Sequence, residues 1–135
     1  MFDTIVLGVD LNDTTGLDRL AKAVNALHAS SIHVVNVVPD LGMPMVGMAL
    51  QPDHSKSMLD EVKVKLTEWT DANVPGATPH VRQGSVYDCI LKVADHVGAD
   101  AIVVGAQRPE LKDYLFGPNA ARIARHASQS VLVVR

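Results

Sequence analysis

The sequence predicts an α/β fold built on a five-stranded, doubly wound parallel sheet. Five short apolar runs alternate with amphipathic segments along the 135 residues, which is the pattern of right-handed strand–helix–strand crossovers. Four of the runs are continuously apolar rather than alternating, as strands buried on both faces of a parallel sheet are. From the length we expect one domain over residues 1–135.

The apolar runs are the predicted strands, at residues 4–9, 32–38, 78–81, 101–105 and 130–134. The third run is shorter and more polar than the others, so we expect it at an edge of the sheet. The remaining four are rich in Val, Ile and Leu, which favours strands.

Each segment between the strands places its apolar residues on one face of a helix. We expect Asp13 or Thr14 to cap the first helix, Pro75-Gly76 to end the second and Gly98 to end the third. The four predicted faces are Leu17, Leu20, Ala21, Val24, Leu27 and His28; Leu59, Val62, Leu66 and Trp69; Val86, Ile90, Val93, Ala94 and Val97; and Ala120, Ile123, Ala124 and Ala127.

Doubly wound sheets bind ligands outside the carboxyl ends of their strands, at the switch point of the strand order. The chain reaches that edge after Asp10, after Val38, at Gly84 and after Gly105. Asp10 has two interpretations: it bonds the turn before the first helix, or it meets a ligand hydroxyl or a metal-bound phosphate.

Residues 105–119 carry the strongest functional signal, because a strand runs into Gly105, a basic loop with Arg108 and Lys112 follows, and Gly117 opens a helix. Backbone N–H groups and the positive end of a helix favour phosphate at such a place. Pro118 has no N–H to donate and equally suits the first turn of a helix that binds nothing, while Asn119 restores a side-chain donor. Arg122 and Arg125, on that helix, are expected at the surface.

The composition excludes several classes of protein. A net charge of −3 gives no reason to expect nucleic acid or an anionic membrane as partner. The single cysteine, Cys89, excludes an intrachain disulfide and suits a reducing compartment. No basic leader and no apolar run of membrane-spanning length is present, so we expect a cytoplasmic protein without membrane insertion.

No catalytic or metal-binding set is visible. The histidines at 28, 33, 54, 80, 96 and 126 are scattered without metal-ligand spacing, and Cys89 is expected as a small helix residue rather than a nucleophile. The segment 39–53 holds Met43, Met45 and Met48, and we interpret it as a lid or interface rather than a soft metal site.

The chain resembles the universal stress protein family over essentially its whole length, most closely the single-domain bacterial branch with an Arg-Pro loop. The similar segments are residues 5–10, 34–39, 84–86, 90–94 and 102–135. The resemblance implies a flavodoxin-like, or adenine nucleotide alpha hydrolase-like, sheet with strand order 3-2-1-4-5. It also implies a homodimer in which residues 130–135 pair antiparallel with the same strand of a second copy.

Many members of that family bind ATP through a motif G-x-x-G, nine residues, then G-S/T. Gly105 matches the first glycine, but Arg108 replaces the second, the spacer before Gly117 has eight residues, and Pro118 replaces the Ser or Thr. The resemblance further implies that Asp10 lies by the ribose or a nucleotide-bound Mg²⁺, that the backbone of Val37 reads adenine, and that Gly8 lines the base pocket. The implied binding residues are Gly8, Asp10, Val37, Gly105, Gln107, Arg108, Gly117, Pro118 and Asn119.

Three functions stay open at this point. The first is a stress-response regulator that binds ATP, or AMP or ADP, and acts as a nucleotide-dependent dimeric switch. The second is a dimeric protein-interaction module of the same family that binds no nucleotide. The third is a slow ATPase or autophosphorylating enzyme with Thr14, Thr15 or Ser85 as acceptor, although such hydroxyls mostly cap helices.

Overall fold

Strands and helices alternate along the computed structural model, which describes residues 2–39, 52–106 and 118–135. The elements are β1 (Thr4–Val9), α1 (Thr14–Ala26), β2 (Ser31–Val38), α2 (Pro52–Asn73), β3 (Thr78–Gln83), α3 (Val86–Val97), β4 (Ala101–Gly105), α4 (Pro118–His126) and β5 (Ser130–Val134). No helix in these ranges is long and apolar enough to cross a membrane.

The strands form one parallel sheet in the order β3-β2-β1-β4-β5, which confirms the predicted fold class and strand order. β3 is an edge strand, as predicted, but it extends two residues beyond the predicted end. Arg82 and Gln83 lie in register with Val37 and Val38 of β2. A polar residue can continue an edge strand because the ladder needs only its backbone, so the loss of apolar character did not mark the strand's end.

The alternating side chains of the central strands fill two cores, one on each face of the sheet. Ile5, Leu7 and Val34 pack with the buried residues of α1 and with Leu66 of α2. On the other face, buried residues of β1, β2 and β4 meet α3 and α4: Val6, Val35, Ile90, Val93, Ala94, Ile102, Val104, Ala120 and Ile123. β1 and β4 are buried on both faces, which explains their continuously apolar sequences.

Several residues predicted for the helix faces lie outside the helices or off their buried faces, among them Ala127, which follows the end of α4 at His126. α1 ends at Ala26 with Leu27 as its C-cap, and His28 follows with a positive φ of 50°, so His28 is outside the helix. Ala124 of α4 is exposed. The other helix signals are confirmed: the Asp13 side chain caps α1 by accepting from the Gly16 N–H, and Gly98 caps α3 in the left-handed conformation.

The amino-terminal end of the sheet is held together by Asp100, the residue before β4. Its Oδ2 accepts from the backbone N–H groups of Asp3 and Thr4, each at 2.9 Å. The Asp100 N–H in turn donates to the Thr4 carbonyl at 2.8 Å. This end of the central strands is therefore fixed by bonds within the chain.

Candidate functional site

The switch point of this sheet lies between the carboxyl ends of β1 and β4. From β1 the chain winds outward through β2 to β3 and then returns to the other side of β1 as β4. Leu7 of β1 lies in register with Val103 of β4, so both strands reach the same edge a few residues later. Asp10 and Gly105, two of the predicted site residues, therefore flank the place where doubly wound sheets bind ligands.

Asp10 is exposed at this edge. Its Oδ1 accepts from the Asn12 N–H at 3.0 Å, and its carbonyl accepts from the Asp13 N–H at 3.1 Å. The predicted turn-bonding role is thus present. Within the described ranges no group donates to the second carboxylate oxygen of Asp10, so the turn leaves half of this carboxylate for other contacts.

The two predicted site glycines on β1 and β4 have opposite surroundings. A Cβ on Gly8 would lie 2.7 Å from Ile90 Cδ1 and 3.2 Å from Val104 Cγ1, so packing between α3 and the sheet explains this glycine. A Cβ on Gly105 would meet no described atom within 4 Å, and Gly105 is exposed. Its φ is not in the left-handed region, so neither packing nor backbone strain requires glycine there. Gly105 lies at the carboxyl edge of the sheet.

At the end of β2, Val37 lies one residue beyond the last pair of the β1–β2 ladder, Val9 with Asn36. Val37 remains in register with Arg82 of β3 and its half-buried side chain packs in the core beneath α3 and α4. The structure thus places Val37 at the same edge as Asp10, one strand away.

Gly84 follows the end of β3, and Cys89 lies near that end on α3. Gly84 has a φ of 137°, and its N–H donates to the Val38 carbonyl at 3.0 Å. Cys89 Sγ lies 3.7 Å from the Gln83 carbonyl oxygen. Burial, and then the charge of Asp88, raise the pKa of the Cys89 thiol. A raised pKa keeps the thiol protonated at neutral pH and therefore a poor nucleophile.

α4 begins at Pro118, as the first-turn interpretation of this residue predicts. Pro118 is exposed and Asn119 is half-buried. Arg122 lies over the ring of Tyr87, with its guanidinium carbon 5.0 Å from the ring centroid; it is a surface residue with an aromatic partner on α3. Arg125 is exposed. Gln107, Arg108, Lys112 and Gly117 lie outside the described residues, as do Met43, Met45 and Met48.

One pair of titratable side chains that the fold brings together was missed in the sequence. His33 Nδ1 and His80 Nε2 lie 2.9 Å apart, although 47 positions separate them in the chain. They occupy the third positions of β2 and β3, and Val35 lies in register with His80. The strand register would have found the pair, whereas spacing along the sequence could not.

Comparison with known proteins gives a consistent result. The model of the family described as the universal stress protein family matches residues 1–135. Universal stress protein G of Escherichia coli O157:H7 is 28% identical over 142 residues, covering 100% of both chains. The structure of hypothetical protein MJ0577 superposes with a TM-score of 0.80 at 22% identity, over 99% of this chain and 96% of that one.

Two further structures that this chain resembles hold nucleotides. A universal stress protein in complex with cAMP has a TM-score of 0.65 at 20% identity, with 99% of this chain and 97% of that chain covered. The universal stress protein from Archaeoglobus fulgidus in complex with dAMP has a TM-score of 0.51 at 20% identity, with 98% and 97% covered. At these identities the likeness shows the fold.

Proposed function

The chain belongs to the universal stress protein family, and we propose that it is a cytoplasmic stress-response regulator that binds ATP or a related adenine nucleotide and acts as a nucleotide-dependent dimeric switch. The proposed site is the carboxyl edge of the sheet between β1 and β4. Related structures that hold cAMP and dAMP support an adenine nucleotide as the ligand class.

The observation that carries this proposal is the open space at Gly105 beside the exposed Asp10. A Cβ at Gly105 would meet no atom of the described residues within 4 Å, which supports room for a ligand to approach the backbone. Asp10 offers a carboxylate oxygen that accepts no bond from the described residues, and a carboxylate can accept from ribose hydroxyls or bind Mg²⁺. The residues present at this edge therefore fit a nucleotide.

In this proposal, different residues of the chain bind different parts of the nucleotide. The Asp10 carboxylate would hold the ribose or a Mg²⁺ that accompanies the phosphates, and the backbone of Val37 would read the edge of adenine. The loop that starts at Gly105, with Gln107, Arg108 and Gly117, and the start of α4 at Pro118 and Asn119 would hold phosphate. Binding, not chemistry, is the proposed role, and any hydrolysis is slow.

The dimer is proposed through residues 130–135. β5 is an edge strand with β4 as its neighbour in the sheet, and Leu132 on β5 is 42% exposed. An exposed strand edge with an apolar side chain gains from pairing with a second copy across a two-fold axis.

A specific observation favours the second candidate, an interaction module without nucleotide. Pro118, the first residue of α4, contributes no N–H. The Ala106 N–H, next to Gly105, already donates to the Val134 carbonyl at 2.8 Å. Two backbone positions at this edge are therefore unable to donate to a phosphate.

Calorimetric titration of the full chain with ATP and Mg²⁺, and then with AMP and cAMP, decides between the two candidates. We expect saturable binding by the wild type. Asp10→Ala should bind at least tenfold more weakly, because one charge-assisted hydrogen bond contributes about 1.5–3 kcal/mol. Gly105→Val should also bind at least tenfold more weakly, because its side chain would occupy the space proposed for the ligand. Asp71→Ala, which removes an exposed carboxylate from α2, is the matched control and keeps wild-type affinity. Absence of binding heat at millimolar ATP would favour the second candidate, the interaction module that binds no nucleotide.

The same samples answer two remaining questions. Sedimentation velocity with and without nucleotide gives the mass of the assembly and shows whether the ligand shifts it. Incubation with labelled ATP separates a binding protein, which produces no ADP and stays unlabelled, from a slow ATPase or autophosphorylating enzyme.

A further inference from the structure

The His33–His80 pair lies apart from the proposed nucleotide site. Both residues are in the amino-terminal halves of their strands, whereas Asp10 and Gly105 are at the carboxyl ends. Both side chains are half-buried, and the ring centroids are 5.1 Å apart with planes tilted by 36°. Two half-buried imidazole rings thus lie side by side on the edge strand β3 and its neighbour β2.

We propose that His33 Nδ1 and His80 Nε2 form a two-imidazole binding site for a divalent transition-metal ion, with Cu²⁺ preferred. Imidazole nitrogens are common ligands of Cu²⁺, Ni²⁺ and Zn²⁺, and the affinity of such sites generally peaks at Cu²⁺. The proposal does not depend on the nucleotide site.

The separation of the two nitrogens agrees with this metal. Ligand nitrogens at about 2.0–2.1 Å from an ion and at right angles to each other are about 2.9 Å apart, whereas a tetrahedral angle needs about 3.3 Å. The observed distance is 2.9 Å. It is the length of an N–H···N hydrogen bond between the two rings, and it equals the separation that two nitrogens at right angles on Cu²⁺ or Ni²⁺ need, so a bound ion would replace this hydrogen bond. A modest rotation of each ring is required, since both lone pairs must converge on the ion.

Ser31 supplies the outer support that a histidine ligand needs. Its Oγ lies 3.3 Å from His33 Nε2, the nitrogen on the far side of the ring from His80. When His33 Nε2–H donates to Ser31 Oγ, Nδ1 carries the lone pair and is available to a metal. Such hydrogen bonds fix the tautomer and orientation of ligating histidines.

The charges around the pair set the limits of the site. Positively charged groups lie near His80, among them Arg82 and Lys63. Arg82 and Lys63 repel a dication. Among the described residues no third His, Cys, Asp or Glu joins the pair, so water or an anionic co-ligand completes the coordination.

Titration of the ¹⁵N-labelled full chain with CuCl₂ tests the proposal, because Cu²⁺ broadens the amide signals nearest to it. We expect selective broadening of the amides at 31–35, 78 and 80–82 at substoichiometric copper. We also expect at least tenfold weaker binding by His33→Gln and by His80→Gln, since each retains only one imidazole. His126→Gln, which removes an exposed histidine from α4, serves as the matched control and should bind like the wild type.

Broadening centred on other residues of the wild type, or wild-type copper affinity in either glutamine variant, would overturn the proposal. The wild-type map gives an answer even if one variant does not fold. Zn²⁺ provides a second reading: its tetrahedral preference fits the separation less well, so we expect it to bind more weakly than Cu²⁺ at the same residues.

Discussion

Two aspartates at opposite ends of the sheet show how differently the chain uses the same side chain. Asp100, at the amino-terminal end, accepts the N–H groups of Asp3 and Thr4 on one oxygen. The carboxylate of Asp10, at the carboxyl end, accepts only the Asn12 N–H from the described residues. Both side chains are exposed. The first is committed to holding strands together, whereas the second is only partly used by the fold.

The difference teaches where function can be placed in a doubly wound sheet. At the amino-terminal end, strand starts and the turns before them satisfy each other's hydrogen bonds, so a polar group there is part of the scaffold. At the carboxyl end the strands are followed by loops and helix N-termini, where some hydrogen-bond donors and acceptors have no partner within the secondary structure. A ligand can supply these partners at Asp10 and Gly105 without breaking bonds of the fold.

The largest effect on stability is expected at Gly8, which is near the carboxyl end but serves the core. Gly8→Ala should lower the free energy of unfolding by about 2 kcal/mol, because its Cβ meets the buried Ile90 and forces the core to adjust. Urea unfolding measures the change. Ile90→Val removes Cδ1, the atom 2.7 Å from that Cβ, so the double variant should recover part of the loss.

The Gly8 variants also distinguish a packing role of Gly8 from a role in the ligand pocket. If Gly8 is primarily a packing residue, the double variant keeps nucleotide affinity close to that of Ile90→Val. A loss of affinity without a loss of stability in Gly8→Ala would instead assign Gly8 to the ligand pocket.

The next effect compares the two aspartates directly. Asp100→Ala should lower the free energy of unfolding by about 1–1.5 kcal/mol, because it leaves two backbone N–H groups without their charged acceptor. Asp10→Ala should cost less than about 1 kcal/mol, since it removes one turn hydrogen bond. Urea unfolding of both variants, with calorimetric ATP titration beside it, should show opposite patterns: stability falls in one and affinity in the other. Equal losses of stability would contradict the contrast between the two ends.

The same contrast explains what the sequence could predict. The strands, the cap at Asp13 and the place of Asp10 and Gly105 follow from contiguous residues, because burial on both faces and helix capping leave local patterns. The end of β3 at Gln83 could not be predicted from contiguous residues, because an edge strand can continue through polar residues. The fit of Gly8 against Ile90 also could not be predicted, because it depends on how closely α3 approaches β1.

The histidine pair shows most clearly what a local sequence pattern cannot predict. His33 and His80 come from strands that are neighbours only in space, and their side chains share a face because Val35 is in register with His80. A shift of one residue in that register would place the two rings on opposite faces of the sheet. A local pattern cannot supply the register, so the histidines looked scattered in the sequence.

The smallest effect is the pH dependence of that pair, and it distinguishes a structural histidine from a solvated one. The pKa of His80 is lowered from 6.5 to about 4, by burial first and then by the nearby charges of His33, Arg82, Lys63 and His96. Because the folded state disfavours the charged ring, this contribution to stability is complete above pH 6.5 and is lost as the pH falls towards 4. Solvent screening of a half-exposed ring reduces the effect to about 1 kcal/mol between pH 7 and pH 5.

Urea unfolding of the metal-free protein at pH 7, 6 and 5 measures this loss. His80→Gln has no charge to gain, so its stability should fall less than that of the wild type over the same interval, and His126→Gln should follow the wild type. Carboxylates titrate mainly below pH 5, so the chosen interval isolates the histidines. Parallel curves for the wild type and His80→Gln would mean that burial and the nearby charges do not favour the neutral ring of His80 in solution. The polar side chains in the amino-terminal halves of β2 and β3 would then contribute as little to the stability of the fold as those at the carboxyl edge.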